Sequence, residues 1–278
     1  MASFTNQATL TYNNITVASN VVTGEITDAV TVYKTAVPDT YAPGEPVTYV
    51  ITLVNSGTAP VSGITLTDDL GAYAFGSGTL VPLTYDDGTA QYFADGVPGA
   101  APTVTAGDTL VISDITVPAG GNAAVVYRAN VNEFAPAVVG GEITNTVTVT
   151  GTGSEVTASA SITAANEAKL AISKALAPCE VTANGQITYT FTISNTGNTA
   201  ENTAVINDTF SPVLKNITVG IGGAAAQAID YNYDETTGEF STAEGALVIP
   251  AATFTQDPVT GAYTAVPGTL EVTVTGTV

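Results

Sequence analysis

Val47-Thr48-Tyr49-Val50-Ile51-Thr52-Leu53-Val54-Asn55-Ser56-Gly57 decides the fold class of this chain. Apolar residues alternate with Thr and Tyr at a period of two, which puts one face of an extended strand inward and the other outward. Asn-Ser-Gly closes the run with turn chemistry, the glycine being free to take a positive φ. The same stretch returns as Ile187-Thr188-Tyr189-Thr190-Phe191-Thr192-Ile193-Ser194-Asn195-Thr196-Gly197, so that Tyr189 stands 140 positions after Tyr49. The same interval separates Lys34 from Lys174 and Asp68 from Asp208. A period of that length is a duplicated module, not a short solenoid repeat.

Working outward, each module continues with further short strands. Ile64-Thr65-Leu66-Thr67 comes next in the first and Thr203-Ala204-Val205-Ile206 in the second. Tyr85-Asp86-Asp87-Gly88 and Tyr233-Asp234-Glu235-Thr236-Thr237-Gly238 read as hairpin corners. Short strands with regular turn signals predict an all-β chain of two tandem β-sandwich modules. The expected division is an N-terminal segment over 1–24, module one over 25–164 and module two over 165–278.

The order of the strands is permuted. Module one closes with Ile143-Thr144-Asn145-Thr146-Val147-Thr148-Val149-Thr150, whereas module two reaches the counterpart of Val125–Val131 at Val272–Val278 and stops. The missing strand has a copy at the start of the chain, Phe4-Thr5-Asn6-Gln7-Ala8-Thr9-Leu10-Thr11. The next stretch also corresponds, with Val17-Ala18-Ser19-Asn20-Val21-Val22 in the place of Val156-Thr157-Ala158-Ser159-Ala160-Ser161. A sandwich short of a strand exposes an apolar groove and unpaired edges. Module two is therefore expected to be completed by a donated N-terminal strand, with Phe4, Asn6, Ala8 and Leu10 on the face that enters the groove. A donor that reaches a neighbouring copy makes a heterologous, head-to-tail contact, which builds a fibre in preference to a ring. The alternatives are an N-terminal segment that decorates module one, or a chain that folds back to complete itself.

Composition limits the function. There are 25 acidic and 5 basic residues, giving a net charge of −20, and 45% of the residues are hydrophobic. Nucleic-acid binding needs a basic footprint, which is lacking, and anionic membrane surfaces repel such a chain. No stretch approaches the length of a membrane span, and the N-terminus does not read as a signal peptide. With no histidine and a single cysteine, Cys179, the usual general base, metal ligand and disulfide are all missing. The expectation is a non-enzyme without cofactor, whose partners are other copies of itself.

The lysine strand, the Val-Thr-Tyr-x-Ile-Thr-Leu-x-Asn-x-Gly strand, the Thr-Asp strand and the closing Thr-Asn-x-x-Thr-Val-Thr together resemble the domain-of-unknown-function-eleven family, repeat modules of bacterial and archaeal surface proteins. The resemblance covers nearly the whole chain, twice. It implies an immunoglobulin-like fold, an extracellular or envelope location, and a structural or adhesive role without enzyme activity; with no signal peptide read at the N-terminus, the expected place is a cell surface or a spore surface assembled after synthesis in the mother cell. A monomeric adhesion or spacer module is the alternative to a fibre subunit.

Lys34, Asp68 and Asn145 in module one, and Lys174 and Asp208 in module two with a borrowed Asn6, are similar to the autocatalytic isopeptide triads of Gram-positive pilins and adhesins. Burial lowers a lysine pKa until the neutral amine can attack, and keeps a carboxylic acid protonated so that it polarises the asparagine carbonyl. The expected bonds are Lys34 to Asn145 within module one and Lys174 to Asn6 between subunits, promoted by Asp68 and Asp208. Alternatively the lysines guard strand edges and the aspartates sit in surface turns. The acid-rich loops at Asp86-Asp87-Gly88, Asp95-Gly96 and Asp234-Glu235 match no defined calcium loop, so no metal is expected. Tyr12, Tyr33, Tyr41, Tyr73, Tyr85, Tyr92, Tyr231 and Tyr233 offer a sugar platform, but without tryptophan strand packing is the better account of them.

Overall fold

The computed structural model describes residues 2–26 and 30–278, and these are strands joined by turns, with no helix among them. They form two compact units, one comprising Met1–Pro136 with Gly141–Thr163, the other Ala137–Gly140 with Ala164–Val278. The division between Thr163 and Ala164 falls one residue before the module boundary expected from the repeat.

The chain opens with β1 (Ala2–Asn6), β2 (Thr9–Tyr12), β3 (Ile15–Ala18) and β4 (Val22–Ile26). β1 pairs with β4 and β2 with β3, so the four strands make one long hairpin. Its tip is Asn13-Asn14, with φ of 43° and 59°. Two successive left-handed residues are what a tight hairpin turn requires, and asparagine tolerates that region better than other side chains.

Unit one then runs through β5 (Val30–Val37), β6 (Thr40–Tyr41), β7 (Pro46–Asn55), β8 (Val61–Asp68), β9 (Tyr73–Phe75), β10 (Gly78–Leu80), β11 (Leu83–Tyr85), β12 (Gln91–Ala94), β13 (Val97–Pro98), β14 (Thr103–Ala106), β15 (Leu110–Val117), β16 (Asn122–Val131), β17 (Glu142–Thr150) and β18 (Val156–Ala164). One sheet is ordered β13-β12-β16-β7-β5, with β11 also on β16, and the other β14-β15-β8-β17-β18-β6. The core lies between them. β7 buries Val47, Tyr49, Ile51 and Leu53 while the intervening side chains stay partly open, the period-two pattern read from sequence. Leu66, Ile112, Val147, Val149 and Ile162 are buried from the other sheet. Each such side chain contributes about 1.5–3 kcal/mol of burial free energy, set against the entropy of ordering it.

Unit two comprises β19 (Leu170–Ala177), β20 (Gln186–Asn195), β21 (Asn207–Thr209), β22 (Lys215–Ile221), β23 (Ala224–Ala225), β24 (Tyr231–Tyr233), β25 (Glu239–Thr242), β26 (Thr253–Gln256), β27 (Tyr263–Val266) and β28 (Gly268–Thr277). The first sheet is repeated as β19-β20-β28-β22-β23, but the second is only β21-β25-β24. Among the described residues of this unit, nothing takes the places that β17 and β18 hold in unit one. The expected strand at Thr203–Ile206 is corrected accordingly: ladder pairing begins only at Asn207, preceded by the isolated bridge Glu201↔Ile249. Its counterpart β8 is paired along both edges, by β15 and β17, and a strand deprived of one neighbour loses half of the backbone bonds that hold it extended.

The Asn-x-Gly corners are built alike in both units. Asn55 is buried and donates Nδ2 to the carbonyls of Ala59 (2.9 Å) and Pro118 (3.0 Å), while its Oδ1 accepts the Gly57 N–H at 2.9 Å. Asn195 does the same with Thr199 (2.7 Å), Pro250 (3.0 Å) and Gly197 (2.9 Å). The asparagine is a side-chain bridge between two loops that would otherwise leave carbonyls unsatisfied.

Candidate functional site

β5, β8, β16 and β17 bring four polar side chains together in the core of unit one. Lys34 Nζ lies 2.6 Å from Asp68 Oδ2, with both side chains essentially without solvent contact. The Tyr127 hydroxyl donates to the same carboxylate oxygen at 2.6 Å. Asn145 Nδ2 donates to the Tyr127 oxygen at 3.0 Å. Asp68 Oδ1 accepts the Leu70 N–H at 3.0 Å, which anchors the acid to its own turn. Asn145 is fully buried, and its Oδ1 has no hydrogen-bond partner. A buried carbonyl without a donor costs about 1–3 kcal/mol.

The three expected residues therefore meet in one network. Burial of Asp68 excludes a surface turn for unit one, while Lys34 points inward from β5, the end strand of its sheet. Desolvation holds the Lys34 pKa below its ordinary value, and the attraction of Asp68 and then Asp69 opposes that without reversing it. Burial pushes the Tyr127 hydroxyl well above its ordinary pKa, with the Asp68 charge adding to the effect. Tyr127 was missed in the sequence, although it stands between the acid and the amide. The signal for it lay in the alternation of Ala124-Val125-Val126-Tyr127, which puts Tyr127 on an inward face directly opposite Tyr49, where the rings stack at 5.4 Å.

Unit two holds the same pair in an open version. Lys174 Nζ contacts Asp208 Oδ2, but the lysine side chain is 39% exposed where Lys34 is 0%. Tyr189, at 4.4 Å from Nζ, Phe210 at 5.3 Å and Phe191 at 5.4 Å form an aromatic cage around the ammonium. Val274 pairs with Tyr189 where Tyr127 pairs with Tyr49, so this site has no tyrosine hydroxyl in that place. Along the same strand, Ile172 is 58% exposed although its counterpart Val32 is buried. Leu170, Ile172, Ile193, Ala204, Ile206 and Leu247 line an apolar groove there.

The N-terminal hairpin carries the complementary pattern. Ile143, Asn145, Val147 and Val149 of β17 are buried, while Phe4, Asn6, Ala8 and Leu10 are exposed, Leu10 to 64%. The expected correspondence of the second strand is corrected in its latter half. Val17 and Ala18 match Val156 and Thr157, but Asn6 stands opposite Val22, whereas Asn145 stands opposite Ala160. A one-residue bulge beside Ser19 is the cause: Ser19 returns its N–H to the Ala8 carbonyl at 2.8 Å, and its hydroxyl accepts the Ala8 N–H at 3.0 Å.

The acid-rich loops have local uses. Asp86 pairs with Arg128, Asp95 Oδ1 accepts the Asn122 N–H at 2.8 Å, and Asp234 Oδ1 accepts the Thr236 N–H at 2.6 Å. Among the described residues no three acidic or cysteine side chains converge on a point that could hold a metal. Tyr41 and Tyr85 are core residues, and Tyr73 and Tyr233 donate to backbone carbonyls. No described helix is long and apolar enough to cross a membrane.

No protein-family model matches the chain, and no curated protein matches it either. Among solved structures it is similar to the N-terminal domain of the Streptococcus gordonii adhesin Sgo0707, at 16% identity and a TM-score of 0.35, covering 53% of this chain and 35% of that one. The chain thus spans about a third of that structure. Domains D2 and D3 of the major pilin SpaD from Corynebacterium diphtheriae align at 11% identity and a TM-score of 0.36, covering 85% and 88%. The pilus backbone protein RrgB from Streptococcus pneumoniae aligns at 11% and 0.35, covering 86% and 55%. Likenesses at TM-scores this low carry no inference about activity, partners or assembly.

Proposed function

We propose that the chain is a structural subunit of an extracellular bacterial surface fibre, a module pair of the surface-repeat kind it resembles, joined head to tail by strand complementation. One observation carries this. The inward face of β17 is buried in unit one, its copy in the N-terminal hairpin is exposed, and the surface β17 would cover is open in unit two. An exposed apolar strand and an exposed edge are both costly alone, and each is the remedy for the other. The contact joins two different surfaces, so it repeats from copy to copy, and it extends as a filament where the rotation between copies does not close a ring.

The test is the size of the full-length protein by chromatography with light scattering, and its shape by electron microscopy, across a concentration series. Filaments are expected from the native chain and monomers from Leu10→Asp. A native chain that stays monomeric at high concentration sinks the fibre.

The buried network of unit one favours a covalent lock in addition. A proton shift from Lys34 to Asp68 leaves a neutral amine and a carboxylic acid. The amine nitrogen then bonds to Asn145 Cγ, the Cγ–Nδ2 bond breaks, and Nδ2 leaves as ammonia with the proton given up by Nζ. Atoms balance without a co-reactant, and Tyr127 is placed to carry hydrogen bonding from the acid to the amide. Intact-mass measurement is expected to fall short of the sequence by one ammonia, and Asn145→Ala to match its sequence. A native mass equal to the sequence excludes the bond. Asn6 is assigned the same role toward Lys174 of a neighbour, which would give gel ladders that survive boiling and vanish in Lys174→Met.

A further inference from the structure

Resting on the fibre reading, we infer that the docking element is the whole N-terminal hairpin, both strands together, seated in a single register. In unit one the occupant of the corresponding place is itself a hairpin. β17 pairs with β8 on one side and β18 on the other, and β18 goes on to pair with β6. Unit two is open at both of these positions. β21 is an edge strand, and residues 179–181, the counterpart of β6 and its approach, belong to no strand. Val181 is exposed where its counterpart Tyr41 is buried. The Asp39 carbonyl that accepts the N–H of Thr163 in unit one has its counterpart at Cys179.

The N-terminal hairpin matches the β17–β18 hairpin in both strands. Near the tip, Leu10↔Val17 and Thr9↔Ala18 reproduce Val149↔Val156 and Thr148↔Thr157. Below the tip, the bulge at Ser19 shifts β4 by one residue against β1. Because side chains alternate between faces, a one-residue shift exchanges the two faces of a strand. With the shift, Val22 and Gly24 stand opposite Asn6 and Phe4. Those are the places of Ala160 and Ile162, opposite Asn145 and Ile143, and both are buried. Without it, Val21 and Thr23 would stand there, putting a threonine where Ile162 is fully buried. The Phe4 ring lies over Gly24, where a Cβ would come within 2.4 Å of its Cζ. A large ring over a glycine thus takes the room of the Ile143–Ile162 pair. An arm meant to stay in water has no need of such a correction, whereas a second strand that enters a core does.

The register follows from unit one. Val147↔Asp68 and Val149↔Leu66 become Ala8↔Asp208 and Leu10↔Ile206 of the acceptor. Asn6 then arrives two residues beyond Asp208, on the face that carries the caged Lys174.

Full-length variants test this. Val22 is exposed in the free hairpin, so Val22→Asp is expected to keep the monomer's melting behaviour and to lose filaments. In a Cys179→Ser background, Leu10→Cys with Ile206→Cys is expected to give a disulfide ladder on non-reducing gels, and Tyr12→Cys with Ile206→Cys to give none. Leu10→Asp separates the two levels. If Leu10→Asp is monomeric while Val22→Asp assembles like the native chain, the second strand is not part of the joint and only the hairpin inference falls. If Leu10→Asp also assembles, the N-terminal segment is not the joint and both fall. A ladder from the Tyr12 pair in place of the Leu10 pair overturns the register.

Discussion

Lys34 shows how little a residue's identity says without its surroundings. Lys34 and Lys174 occupy the same repeat position, yet one is sealed beneath β17 and the other looks onto solvent through an aromatic cage. Removing the partner of a buried charge leaves it uncompensated, which costs about 3–5 kcal/mol. In an Asn145→Ala background, which cannot cross-link, Asp68→Ala is therefore expected to lower the unfolding free energy of unit one by that order. The half-exposed pair of unit two is screened by water, so Asp208→Ala is expected to shift the monomer by no more than about 1 kcal/mol. Equal losses in a denaturant titration would contradict the difference in burial.

Protonation gives a second check at this scale. Burial holds the folded-state pKa of Lys34 below the ordinary lysine value of 10.5. Between the two values the unfolded chain binds more protons than the folded one, so stability rises with pH across that window. Tyr49 and Tyr127, raised above 10.0 by burial, work in the opposite sense, but only above pH 10. In Asn145→Ala, which cannot cross-link, unit one is expected to gain stability as the pH rises from below the ordinary lysine value toward about pH 10. Adding Lys34→Met should flatten that slope, as followed by denaturant titration at several pH values. A slope unchanged by the second substitution would clear Lys34 of the effect.

Elements make the strongest comparison, because the molecule contains its own control. β17 and the β1–β2 strand have the same inward pattern, one inside a sandwich and the other outside. Val149→Ala empties space in a packed core and is expected to cost about 1–3 kcal/mol in unit one. Leu10→Ala, at the matching position, is expected to stay within about 0.5 kcal/mol in the monomer and to weaken assembly instead. Melting curves of the two variants, taken below the assembly concentration, decide this. The duplication, the strand pattern and the spare copy were legible in the sequence, since each is a matter of period and order. The bulge at Ser19 was not. Val21 and Val22 are both valine, so alignment alone could not say which of them stands opposite Asn6. Hydrogen bonds to Ala8 settle it.

For the whole molecule, the open groove of unit two predicts unequal units. Among the described residues the second sheet of unit two holds only β21, β25 and β24, so its core has less cover. In the Leu10→Asp monomer, calorimetry is expected to resolve two transitions, the lower belonging to unit two. In assembled native protein the lower transition is expected to move up while that of unit one holds. A partner bound at a hundred times its dissociation constant stabilises by about 2.7 kcal/mol. A lower transition that ignores assembly would mean that the groove is not the joint.

By itself, the order of residues determined the all-β class, the duplication at 140 positions and the chemistry available to each core: amine, carboxylate, amide, and neither imidazole nor thiol pair. These follow from local alternation and turn residues, which are properties of neighbours along the chain. Only the tertiary structure decided which copies of a pattern are buried. Desolvation depends on what packs across a sheet, and no period in the sequence records it. That is why Lys34 and Lys174 differ, why Tyr127 enters the network, and why a hairpin with a corrective bulge stands where a single strand was expected.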